Sequence, residues 1–251
     1  MTINIKNILI NVDSTFDIVF NRLKQFEISD VSTDNKIIIN DNLIDISVLD
    51  YKLKIKEKIN TTDIYPILNN LIAYLINDEN NLYIHSVVIS KNNKGILVLG
   101  DFKVGKSALA IEAQNYGYEV NSADQTWIKT NEMVLGSSFN KDKNGISFLD
   151  KKNVNKKVKL ERIIILKGIS TNGELSIQKI ENRDYYVKNI FRYSNWHYDM
   201  PLLTKYIKLK DTGEKILKFI NKLNIEAYFI CGDERKIMEA ICDRKEGIKQ
   251  D

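Results

Sequence analysis

Gly100-Asp101-Phe102-Lys103-Val104-Gly105-Lys106-Ser107 spaces two glycines, a lysine and a hydroxyl as G-x-x-x-x-G-K-[ST], the Walker A or P-loop pattern that handles phosphates. The glycines let backbone curl around an anion without Cβ clashes. Successive N–H groups then face inward as a nest, and the helix that follows adds its positive N-terminal end. Lys106 supplies a point charge for β/γ oxygens, and the Ser107 hydroxyl is a hard ligand suited to magnesium. The nucleotide-binding set read from this spacing is Gly100, Asp101, Phe102, Lys103, Val104, Gly105, Lys106, Ser107 and the next helical residue, Ala108. The expected ligand is a purine nucleoside triphosphate with Mg2+; the spacing does not choose ATP over GTP.

Two more side chains near this segment could act on a bound phosphate. Asp124 can hold the metal or take a proton from an attacking hydroxyl, but a metal-bound carboxylate is a poorer base, so the two tasks compete. His85 lies in an apolar run just before the loop, and an imidazole responds readily to a nearby carboxylate. The catalytic candidates are thus Asp124, His85 and Lys106, and the metal candidates Ser107 and Asp124. Other groups read more plainly. Lys151, Lys152, Lys156, Lys157 and Lys159 form a basic stretch, a solvated face or a landing site for an acidic peptide. Tyr193-Ser194-Asn195-Trp196-His197-Tyr198 is an aromatic cluster suited to packing or subunit contact, and His197 has no ligand partners nearby in sequence. Cys231 reads as a small core residue at a strand end.

These groups need elements to hold them. Ile96-Leu97-Val98-Leu99 predicts the strand before the loop, and the pattern from Lys106 to Asn115 a helix closed by Gly117 in left-handed conformation. Leu82 to Ile89 reads as one strand, joined through the tight turn at Lys91–Gly95 to an antiparallel neighbour. Val120 to Ile128 reads as another extended segment. Ile64, Leu68, Leu71, Ile72 and Leu75 recur at helical spacing after Asp63 and Pro66. Ile8-Leu9-Ile10 and Lys36-Ile37-Ile38-Ile39 look like strands, Asp41-Asn42 like a turn, and Ile18 to Phe26 like a short helix. Residues 131–160 read as loop-rich. Arg162 to Leu166 and Ala227 to Ile230 are strand candidates. Asp211-Thr212-Gly213-Glu214 has capping-box spacing before a helix with Ile216, Leu217, Ile220 and Leu223, and Asp233 caps a last helix with Ile237, Met238 and Ile241.

Composition narrows the class. Of 251 residues, 43% are apolar and 28% charged, enough for a core and an ordinary surface. Thirty-seven basic against 33 acidic side chains leave +4, too balanced to argue for nucleic acid. Two cysteines make neither a disulfide framework nor a metal quartet. Without an apolar run of about 20 residues or an N-terminal apolar leader, a soluble cytoplasmic protein with no membrane partner is expected.

The order of His85 in a strand, a turn, the P-loop, its helix, then Gly117-Tyr118 and Asn121-Ser122-Ala123-Asp124 resembles the C-terminal domain of HPr kinase/phosphorylase and smaller HPr-kinase-related proteins of bacteria. Gly100-Asp101 at the loop start and Phe229-Ile230-Cys231-Gly232-Asp233 near the C-terminus fit the same pattern. The resemblance covers about residues 64–241. It implies an α/β, mixed-sheet P-loop fold of the HPr kinase / PEP carboxykinase-like type over 63–251, with 1–62 as a small α/β N-terminal segment. It also implies transfer of a phosphate from ATP with Mg2+ to a hydroxyl of a peptide or protein, in a setting such as peptide maturation, with His85 tuning Asp124. Ala123 departs from the pattern, standing where the first of two acids is expected. A non-catalytic nucleotide-binding partner or regulator of a peptide-modifying system is therefore the alternative. An ordinary RecA or ABC-type NTPase fits less well, because Val120–Asp124 is only half apolar. Oligomeric state stays open between a homo-oligomer and a complex with a peptide-modifying enzyme.

Overall fold

A computed structural model of the chain describes residues 2–5, 8–12, 36–40, 43–48, 51–56, 69, 72–74, 76–130, 133–135, 139–142, 145–148, 157–168, 174–194 and 210–243. Strands β1 (Thr2–Ile5), β2 (Ile8–Val12), β3 (Lys36–Asn40), β4 (Leu43–Val48) and β5 (Tyr51–Ile55) form a five-stranded sheet in sequence order. It is antiparallel except between β2 and β3. The short helix expected at 18–26 and the Asp41-Asn42 turn lie outside the described residues, as do Asp63 and Pro66. Residues 69, 72–74 and 76 are helical, in line with the apolar spacing there.

The second sheet has nine strands: β6 (Asn81–His85), β7 (Val87–Lys91), β8 (Lys94–Gly100), β9 (Glu119–Ser122), β10 (Gln125–Lys129), β11 (Met133–Leu135), β14 (Lys157–Leu166), β15 (Ser176–Lys179) and β16 (Glu226–Cys231). β12 (Phe139–Asp142) and β13 (Gly145–Phe148) form a separate hairpin. The sheet is mixed. β8, β14 and β16 run parallel at its centre, with Ile163 opposite both Leu97 and Ala227. Parallel strands need cover on both faces and therefore read as unbroken apolar runs, as Ile163-Ile164-Ile165-Leu166 does.

Four labelled helices supply that cover. On one face α1 (Lys106–Asn115) and α4 (Glu234–Asp243) pack on Val98, Ile164 and Ile230 through Leu109, Ala110, Ala113, Ile237, Met238 and Ile241. On the other, α2 (Arg183–Tyr193) and α3 (Lys210–Lys222) cover Leu97, Leu99, Ile163 and Ile165 through Tyr186, Ile190, Ile216, Phe219 and Ile220. Alternate residues of each strand serve opposite faces, as the two-residue repeat requires.

Several local readings are met. β7 and β8 are antiparallel, and Asn92 and Asn93 between them have φ of 54° and 62°, the both-positive geometry of a two-residue hairpin. Gly117 (φ 73°) ends α1; its N–H donates to Gln114 O and that of Tyr118 to Ala113 O, closing a Schellman motif. Asp233 caps α4, accepting from the Lys236 N–H at 2.9 Å.

Others are corrected. The run 82–89 is two strands broken at Ser86, and 120–128 is broken at Ala123–Asp124. Much of 131–160 is strand, not loop. α3 is already helical at Lys210, so Asp211 is inside it and does not cap it. α2 and β15 were not expected at all, although Asn182 caps α2 by accepting from the Tyr185 N–H and Tyr186, Ile190 and Tyr193 recur at helical spacing.

Candidate functional site

Gly100 ends the central parallel strand β8, and α1 begins six residues later. The loop between them has no room at its first glycine: a Cβ on Gly100 would meet Val104 Cγ1 at 2.6 Å, and φ is +153°. Gly105, the residue before α1, has φ 106°, and Lys103 stands at φ 63°, a left-handed backbone that costs a non-glycine residue energy. The Lys106 side chain, only 8% exposed, folds back over this loop. Its ammonium donates to the carbonyls of Gly100 (2.7 Å) and Asp101 (2.9 Å). Carbonyl partners satisfy a buried cation at modest strength; phosphate oxygens would do so with charge assistance. Ser107 is half-buried and Ala108 exposed in the first turn of α1, and Phe102 projects into solvent.

His85 and Asp124 come together at the two strand breaks. β6 and β10 pair with His85 opposite Gln125, and β7 and β9 pair with Val88 opposite Ser122. Each partner therefore leaves the ladder at the same level, Ser86 on one side and Ala123-Asp124 on the other. The Ser86 N–H donates to Asp124 O at 2.8 Å. Beside it runs a chain of buried hydroxyls: Ser86 Oγ to Thr126 Oγ1 at 2.6 Å, Thr126 Oγ1 to Ser122 Oγ at 2.9 Å, and Ser122 Oγ to Gln125 O at 2.7 Å. These bonds satisfy polar groups at a place where the regular ladder stops. The result fixes His85 Nδ1 3.3 Å from Asp124 Oδ1, both side chains largely buried.

A cavity of about 450 Å³ joins the two parts. It is lined by His85, Gly100, Asp101, Phe102, Arg192, Tyr193 and Ser194. The last three come from the end of α2, which docks where Ser194 bridges to Ile84 of β6. Arg192 Nη2 bonds both oxygens of Asp101, at 2.8 and 3.0 Å. Burial first, and then the Asp101 carboxylate, push the Tyr193 phenol above its ordinary value, so it stays a neutral donor. Arg192 was missed in the sequence because it comes to the loop only through the packing of α2.

Ala123 is 3% exposed and packs in the apolar cluster with Val87, Val120 and Leu109. The position expected to carry the first of two acids is thus apolar, and a carboxylate there would lose its hydration. Among the described residues no three His, Cys, Asp or Glu side chains converge to hold a metal ion. Magnesium carried in by a triphosphate needs no such cage: one or two protein oxygens complete a shell of phosphate and water, and Ser107 and Asp124 are of that donor type. Lys157 and Lys159 are exposed on β14; Lys151, Lys152, Lys156 and residues 195–198, including His197, lie outside the described residues. Cys231 ends β16, half-buried beside a separate cavity. No helix among the described residues is long and apolar enough to cross a membrane.

No known family model matches the chain, and no curated protein sequence does. Among solved structures it is similar to the Hpr(Ser) kinase/phosphatase from Coxiella burnetii, at 12% identity and a TM-score of 0.37, over 65% of this chain and 96% of that one. That is a distant structural relationship, and it says nothing about activity.

Proposed function

We propose that the chain is a kinase that transfers the γ-phosphate of ATP to a hydroxyl of a peptide or protein. The observation that carries this reading is the shared cavity: the first residues of the glycine-bounded loop, Gly100 to Phe102, whose carbonyls at Gly100 and Asp101 hold the Lys106 ammonium, line the same space as His85, and the His85 imidazole stands 3.3 Å from Asp124. Lys106 would exchange two carbonyls for β/γ oxygens. Magnesium, held through Ser107, would offset charge on the transferring group. His85 lines the cavity and Asp124 lies behind it. This order suits His85 as the group that receives the hydroxyl proton and Asp124 as the anion that stabilises the imidazolium. It reverses the order expected from sequence, in which Asp124 was the base and His85 its assistant.

One observation favours a second reading, nucleotide binding without transfer in a peptide-modifying system: the apolar burial of Ala123 leaves one carboxylate for two tasks. Calorimetry with Mg–ATP and transfer of labelled phosphate to peptides encoded beside the gene test both. The kinase reading expects binding that is lost in Lys106→Ala, and label transfer lost in Asp124→Asn and His85→Asn while binding persists. Binding without transfer in the native chain would leave the second reading. Affinity unchanged in Lys106→Ala would overturn both.

A further inference from the structure

We infer that Arg192 is a γ-phosphate-binding residue, held in reserve on Asp101 and transferred to the nucleotide when a triphosphate occupies the loop. The inference rests on the nucleotide reading above and adds a residue that the loop motif does not contain. Asp101 puts a negative charge at the mouth of a site built for a polyanion. Arg192 neutralises it, yet the pair is loosely held: the side chains are 56% and 58% exposed, and exposed pairs contribute little net stability. The geometry is also incomplete. Both bonds to Asp101 come from the single nitrogen Nη2, whereas a guanidinium binds most strongly with two parallel N–H groups on one oxyanion. A terminal phosphate offers that second arrangement; the present carboxylate contact does not use it.

Position favours the exchange. Arg192 lines the same cavity as His85 and Gly100, so a terminal phosphate facing His85 would lie within its reach. The end of α2 is anchored independently, by the Ser194 bridge to Ile84 of β6. The guanidinium can therefore move without the helix. ADP, lacking the terminal group, would not draw the arginine across.

The test compares the β,γ-imido analogue of ATP with ADP by calorimetry, both with magnesium. Arg192→Ala is expected to weaken the imido analogue about tenfold or more, the loss of a charge-assisted contact, and ADP by less than about threefold. Arg192→Lys should fall between, since it keeps the charge but not the fork. The double variant Asp101→Asn/Arg192→Ala separates direct contact from simple shielding. If Arg192 touches the phosphate, the double variant stays weak for the imido analogue. If Arg192 only masks Asp101, removing both restores affinity, and the inference fails. Equal losses for both nucleotides, or none, also overturn it while leaving the nucleotide reading intact. A native chain that binds neither nucleotide overturns both.

Discussion

The central strands β8, β14 and β16 and the ribbon formed by residues 81–91 with 119–129 belong to one sheet but are built in opposite ways. The centre is parallel and covered on both faces, and its residues from Ile163 to Leu166 are at most 4% exposed. Its interior is aliphatic; it ends at Gly100, Leu166 and Cys231, and the glycine-bounded loop springs from its first strand. The ribbon is antiparallel and broken midway, and its break carries His85, Asp124 and four buried polar groups. The difference shows how the two requirements of the site are met. An anion loop needs a rigid edge from which backbone N–H groups can be aimed. An imidazole–carboxylate pair needs side chains turned out of a ladder that would otherwise bury or expose them in strict alternation.

The largest effect that would break this contrast lies in the centre. Ile164→Ala should destabilise the chain by about 2–5 kcal/mol, the usual cost of an aliphatic truncation in a packed core. Denaturant unfolding would show it, and nucleotide affinity of the folded fraction should stay near native. A selective loss of affinity instead would mean that the centre is not a passive platform.

A smaller effect belongs to the ribbon. Thr126→Val keeps the shape but removes the hydroxyl that bridges Ser86 and Ser122, leaving buried partners short of a bond at a cost of about 1–3 kcal/mol. Here the site should suffer more than the fold: phosphate transfer falls while binding of Mg–ATP persists, because the hydroxyl chain sets His85 against Asp124 and not the loop. Equal loss of binding and transfer would show that the break and the loop are one unit.

The smallest effect lies at the far end of the centre. Glu226 at the start of β16 is held below the ordinary carboxylate range, first by its hydrogen bond from Lys179 (2.8 Å) and then by that from the Tyr228 hydroxyl (2.7 Å). Lys179 is raised by the same pair. A depressed acid stabilises the fold above its unfolded pKa and loses that contribution as pH falls through its folded value. A raised lysine stabilises below its unfolded pKa and loses the contribution as pH rises through its folded value. The pair therefore contributes fully between about pH 4.3 and about pH 10.4. Glu226→Gln should flatten the acid limb of a stability–pH profile slightly and leave nucleotide binding unmoved; a steeper acid limb would contradict this.

Much of this contrast could be read from the sequence where local rules suffice. The helix after the loop runs from Lys106 to Asn115 as its spacing predicts, because a glycine before it and Gly117 after it set both ends. Asn92-Asn93 marks the hairpin, because few residues accept two positive φ values in succession. The break at Ser86 was not legible. Leu82 to Ile89 has apolar residues on both sides of His85-Ser86 and no glycine or proline to mark a stop, and the carbonyl of Asp124, 38 residues on, takes the Ser86 N–H at the break. Residues 131–160 hid their strands because strands of three or four residues carry too little periodicity to be read and take their hydrogen bonds from partners elsewhere, as β11 does from β10 and β14.

The sequence by itself determined the loop, the helix it opens, and the two groups with acid–base chemistry on either side. Those depend on glycine conformations, capping and side-chain type, all local properties. Only the tertiary structure decided that His85 faces the cavity with Asp124 behind it, that Ala123 is an apolar position, and that α2 brings Arg192 to Asp101 across 91 residues of chain. Such placements depend on which faces of the sheet are buried and where its ladder breaks, and these follow from packing between distant segments.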